Sequence, residues 1–115
     1  MITGASVLAV PSVDTLRKAS THNGDLTVEC TINRDMLYLI QTPQIISYTL
    51  LDLAYKTYKT KPAWQSFTDE AGMIELLGKP VSLVVGSSKN IKITYSEDLE
   101  IASGILREAK KNIYV

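Results

Sequence analysis

A chain of 115 residues suits one small domain or part of a larger one, and its twelve Lys and Arg against twelve Asp and Glu leave no net field to draw it to nucleic acid or a membrane surface. No apolar run approaches the roughly 18 residues of a membrane span, and 45% hydrophobic content is ordinary for a globular protein. One cysteine, Cys30, excludes an internal disulfide and fits a reducing cytoplasm, as does an opening "MITGASVLAV" without a basic n-region or cleavage signal.

"ASVLAVP" reads as a short buried strand stopped by Pro11. "VDTLRKA" and "DLTVECTI" flank Asn23-Gly24, which predicts a hairpin, with a loop longer than the two-residue minimum. Cys30 in the second of these strands reads as a small packed residue, and His22 as a solvated turn histidine. Neither has a base or ligand partner nearby in sequence, and no Cys/His metal cluster exists.

"TPQIISYTLLDLAYKTYKT" predicts a helix opened by Thr42 as cap and Pro43 as first helical residue, with Ile46, Leu50, Leu53 and Ala54 on one face. A loop, "KTKPAWQSF", follows. "TDEAGMIELLG" predicts a second helix capped by Thr68, with Asp69 and Glu70 opposing the positive end of its dipole and Gly78 stopping it. "PVSLVVG" reads as a strand buried on both faces, as in a parallel sheet. "NIKI" reads as a further short strand, and Thr94 with Glu97 as a capping box opening a last helix that turns Leu99, Ala102, Ile105 and Leu106 inward. Helices alternating with apolar strands give an α/β fold.

Polar groups at element ends are the candidates for chemistry: Asp14-Thr15, Arg34, Thr42, Thr68 and Lys92. Free N–H groups at helix starts, two hydroxyls and two cations could cage a phosphate. Cap threonines are mostly only caps, and a strand lysine is usually a solvated edge charge. With no phosphate-cradling glycine loop, the residues by themselves allow an anion site and no more.

Four stretches in order and spacing carry a resemblance: "VPSVDTLRKA", "INRDMLYLIQTPQ", "FTDEAGMIELLGKPVSLVVGSSKNIKIT" and "SEDLEIASGIL". Together they resemble the C-terminal half of the 2-C-methyl-D-erythritol 4-phosphate cytidylyltransferases, over about Ala5 to Leu106. The resemblance implies part of a Rossmann-like nucleotidyltransferase sheet with helices and a projecting β-hairpin arm at about residues 13–34, which interlocks a homodimer. It implies cytidylyl transfer from CTP to the sugar phosphate in isoprenoid precursor synthesis, with Mg2+ and release of pyrophosphate, in the cytoplasm. The resemblance also leaves a plastid origin open, with no transit peptide in the sequence to support it.

Carried over by motif, Lys92 of "NIKIT" is the lysine that stabilises charge at the reacting phosphate. Thr15 of "VDT" and Arg34 of "NRD" reach the sugar phosphate bound in the partner subunit. Thr42 of "TPQ" and Thr68 of "TDE" line the same pocket. The sequence departs from the family at Asn33, Tyr38 and Ile46, where aspartate, tryptophan and an aromatic are usual. The family's glycine-rich nucleotide loop does not occur in these residues. The expectation is therefore that residues 1–115 are the C-terminal part of the enzyme, with the N-terminal nucleotide-binding half absent and the piece inactive alone. Two alternatives remain: a ribitol 5-phosphate cytidylyltransferase, whose relatives share the arm and a related lysine motif, and a non-catalytic oligomerising remnant.

Overall fold

The computed structural model describes residues 3–62 and 66–113. Positions 63–65 of the expected "KTKPAWQSF" loop lie outside the described residues. In chain order the elements are β1 (Ala5–Pro11), β2 (Leu16–His22), β3 (Asp25–Ile32), β4 (Tyr38–Ile46), α1 (Tyr48–Tyr58), α2 (Glu70–Leu76), β5 (Ser82–Val85) and α3 (Glu97–Ile113).

One sheet has the order β4-β1-β5, with β4 antiparallel and β5 parallel to the central β1. Ala5, Val7 and Ala9 alternate as the buried face of β1, the period of two expected of a pleated strand with one covered side. That cover is α2, which packs on β1 and β4 and is backed in turn by α1. The core joins Ala5, Ala54, Tyr58, Met73 and Ile74, with Ile46, Leu50, Phe67 and Val81 packed around it. Tyr58 and Phe67 meet edge to face at 5.5 Å between centroids.

β2 and β3 form a separate two-stranded sheet, the arm. His22 pairs with Asp25, so the loop is Asn23-Gly24 alone, shorter than expected. Both residues have positive φ, 50° and 89°. That is the pattern of a primed turn, whose twist matches that of the flanking strands and which Asn-Gly adopts at least cost. Every residue of β3 is exposed, Cys30 included. The expectation of a packed cysteine fails because no second layer lies on the ribbon.

Four further expectations are corrected. "TPQ" does not open a helix: Thr42-Pro43 is a cis peptide within β4, and α1 begins after Ser47. Pairing of Val7 with Gln44 and Ala9 with Ile40 leaves Gln41, Thr42 and Pro43 opposite the single residue Leu8. Pro43, which cannot donate to a ladder, thus sits in a bulge. "NIKI" forms no strand, because no described strand pairs with it. β5 is not buried on both faces: it is an edge strand, and Leu83, Val84 and Val85 are exposed. Nor are Leu99 and Leu106 inward, since α3 makes at most marginal contact with other elements and both residues are exposed.

Candidate functional site

A cleft of about 580 Å³ opens where β4, the start of α2 and the segment after β5 approach one another. Its lining includes Thr42, Thr68 and Lys92, together with Gln41, Gln44, Asp69 and Asn90. Three residues singled out from sequence, drawn from positions 26 and 24 residues apart, thus share one wall-to-wall space. Thr15 and Arg34 are not among its lining residues. They stand at the arm's base, beyond the Leu16–Ile32 pair, where the Arg34 guanidinium donates to the Val13 carbonyl oxygen. Ser12 N also donates to Leu37 O there at 2.9 Å, tying the arm's two stems together.

The bulge in β4 exposes Thr42 and leaves its two flanking glutamines pointing at different neighbours. On one side, Gln44 Nε2 donates to Asp69 Oδ2 at 2.8 Å and Gln44 Oε1 accepts from Ala71 N at 3.3 Å. Asp69, and not Thr68 as expected, is the N-cap of α2, its Oδ1 accepting from Gly72 N at 2.9 Å. This frees the exposed Thr68 from the cap and leaves its hydroxyl at the cleft. On the other side, Gln41 Nε2 donates to Ser87 O at 2.8 Å and to Asn90 O at 3.2 Å. Asn90 Nδ2 donates back across the cleft floor to Thr42 O at 2.7 Å.

Lys92 itself is exposed and lies in irregular chain. Downstream of it, Asp98 Oδ2 accepts from Thr94 N at 2.8 Å and Tyr95 N at 2.9 Å. The expected Thr94–Glu97 capping box is therefore replaced by a hook made from Asp98, one residue further on. These two donors, Tyr95 N first and then Thr94 N, hold the Asp98 carboxyl below the usual aspartate range.

Gln41, Gln44, Asp69 and Asn90 were missed as site-building residues. The repeated glutamine of "QTPQ", on both sides of a proline that breaks the ladder, is the signal that could have found two of them. Chemically, the cleft offers two hydroxyls, an ammonium group and amides, donors suited to phosphate oxygens, beside the carboxylates of Asp69 and Glu70, which only accept.

Mixed sheet, arm and cleft together define an α/β unit, and solved structures that share it are cytidylyltransferases. A crystal structure of 2-C-methyl-D-erythritol 4-phosphate cytidylyltransferase from Francisella tularensis matches with a TM-score of 0.76 at 32% identity, covering 90% of this chain and 46% of that one. The 4-diphosphocytidyl-2C-methyl-D-erythritol synthase of Anaerococcus prevotii matches with a TM-score of 0.75 at 33% identity, covering 91% of this chain and 45% of that one. The chain belongs to the 2-C-methyl-D-erythritol 4-phosphate cytidylyltransferase family, whose sequence model matches residues 1–108. Among curated relatives, that of Pelotomaculum thermopropionicum is 42% identical over 104 residues, which are 90% of this chain and 42% of the relative. The Geobacillus kaustophilus enzyme is 43% identical over 103 residues. The chain thus spans about two fifths of the length of the curated relatives it matches.

Proposed function

We propose that this chain is the C-terminal, phosphate-handling part of an enzyme that transfers a cytidylyl group from CTP to 2-C-methyl-D-erythritol 4-phosphate. An oxygen of the sugar phosphate attacks the α-phosphorus of CTP. The new P–O bond forms as the bond to pyrophosphate breaks, and the electron pair leaves with pyrophosphate. Negative charge gathers around the α-phosphorus during this exchange. Lys92 offsets that charge, and it does so only as well as it is held in place beforehand. Thr42 and Thr68 donate hydroxyls to substrate oxygens in the same cleft. Thr15 and Arg34 reach the sugar phosphate bound in the partner subunit of an arm-linked homodimer in the cytoplasm. The observation that carries this reading is the convergence of Thr42, Thr68 and Lys92 on one cleft.

The Mg2+ that the resemblance implies does not fit these side chains. Among the described residues no three His, Cys, Asp or Glu groups cluster as a metal site. Both Asp69 oxygens already accept hydrogen bonds, from Gly72 N and from Gln44 Nε2. By the resemblance, the ion is held with the CTP phosphates.

The test is Lys92→Ala in the complete cytidylyltransferase carrying this segment. Turnover should fall on the order of 100-fold, with little change in the Michaelis constants. Arg34→Ala should instead mainly raise the Michaelis constant for the sugar phosphate, because that group is a handle held away from the reacting bond. Near-normal turnover in Lys92→Ala would return Lys92 to a solvated surface charge.

A further inference from the structure

The segment that carries Lys92 has no sheet to hold it. Gly86 N donates the last ladder bond, to Ala9 O at 2.9 Å, and from there the chain turns through Ser87–Asn90, where Asn90 N donates to Ser87 O at 2.9 Å. What fastens this turn to the sheet is a pair of side-chain amides. Gln41 spans it by donating to both Ser87 O and Asn90 O, and Asn90 reaches the other way to Thr42 O. The two amides also meet each other, Asn90 Nδ2 to Gln41 Oε1 at 3.5 Å. Gly86 makes room for the arrangement, because a Cβ there would fall on Gln41 Oε1.

From these contacts we infer that Gln41 and Asn90 are positioning residues for Lys92: a two-amide clamp that takes the place of a strand and sets the height of the ammonium group over the cleft. The inference deepens the proposed function and rests on it for the role of Lys92. A neutral clamp suits the task. Carboxylates in its place would compete with phosphate for Lys92, whereas amides fix the backbone and leave the cation unpaired. Misplacing a catalytic group by about 1 Å can cost roughly 100-fold in rate, so loosening the clamp should be read in turnover before it is read in binding.

The test has two arms. In the complete cytidylyltransferase, Gln41→Ala and Asn90→Ala should each lower kcat about tenfold while the Michaelis constants for CTP and sugar phosphate stay within about twofold. In a Lys92→Ala background the same substitutions should cost almost nothing further, because the group they position is gone. Gly86→Ala, which displaces Gln41 without removing it, should copy Gln41→Ala and should not add to it. Equal losses with and without Lys92 overturn the clamp, as does loss of the folded state in both alanine variants. If Lys92→Ala alone keeps its turnover, it is the role of Lys92 that fails. The second arm is then decisive for the clamp, since it does not involve catalysis. Hydrogen exchange on the 115-residue chain should be about tenfold faster in Gln41→Ala at the Asn90 amide and at the Lys89 amide, which donates to Ser87 Oγ at 3.1 Å, with β1 unchanged. Unchanged exchange at those amides overturns the clamp by itself.

Discussion

Gln44 and Asp69, 25 residues apart in sequence, are joined by a 2.8 Å hydrogen bond from Nε2 to Oδ2 that ties β4 to the start of α2. The same bond sets how far Thr42 stands from Thr68, since each threonine is within two residues of one partner. Both partners are half-buried and both are already committed elsewhere, Gln44 to Ala71 N and Asp69 to Gly72 N. Removing one leaves the other partly unsatisfied. Gln44→Ala should therefore destabilise the fold by about 1–2 kcal/mol, and Asp69→Ala by a similar amount through loss of the cap. The double variant should cost less than the sum. Urea unfolding of the four proteins checks this, and strict additivity would mean the two residues act independently.

Ile74 is the one fully buried large side chain among the described residues, at 0% exposure. It sits on the face of α2 that meets the core, so it fixes the helix whose first turn borders the cleft. Ile74→Val should cost about 0.5–1.5 kcal/mol and Ile74→Ala about 2–5 kcal/mol. A domain of this size has roughly 5–15 kcal/mol in all, so the alanine variant should approach unfolding while the valine variant stays folded. Thermal melts resolve the two, and an unchanged melt for Ile74→Ala would place the core elsewhere.

Asp98 makes the start of α3 sensitive to acid. Its folded-state pKa is lowered by the N–H groups of Tyr95 and Thr94, which bond the ionised carboxylate. A group depressed in this way adds stability above its unfolded pKa of about 3.9, and that contribution is lost as pH falls through the lower folded value. The Thr94 and Tyr95 amide resonances should thus titrate together with a midpoint below about 3.9. Asp98→Asn should flatten that titration. A midpoint at or above the free value would show that the hook is not formed in solution.

Legibility from sequence followed how local each signal was. The arm could be read because its alternation and its Asn-Gly turn are complete within residues 16–32, and "ASVLAVP" and "PVSLVVG" could be read as strands, though not the place of the second at an edge. β4 was misread because Thr42-Pro43 is a good helix start on local chemistry, and only the ladder to β1 overrides it. Lys92, Thr42 and Thr68 could be named from motif resemblance, yet nothing in the sequence said that Asp69 and not Thr68 would take the cap. The glutamines and Asn90 were illegible for the same reason. Their partners lie 25 to 49 residues away, and an amide side chain gives no sign of which backbone it will hold.

Leu26 is 78% exposed and Val28 62%, on a two-stranded ribbon that has no layer over either face in the single chain. Its one ion pair among the described residues, Lys18 to Glu29 at 2.8 Å, is solvent-exposed and contributes at most about 1 kcal/mol. Isolated hairpins of this kind are marginal in water, so the ribbon needs a surface to cover its apolar residues. A second copy of the same arm would supply one, with the self-complementarity that a two-fold interface requires. The chain should therefore be dimeric at tens of micromolar by light scattering. Val28→Asp should shift it to monomer, while Lys18→Ala, on the same ribbon but outside the apolar set, should not. Hydrogen exchange in the arm should rise with the first substitution only. A folded monomer across the dilution series, with the arm amides still protected, would sink the idea that the arm is held by its partner.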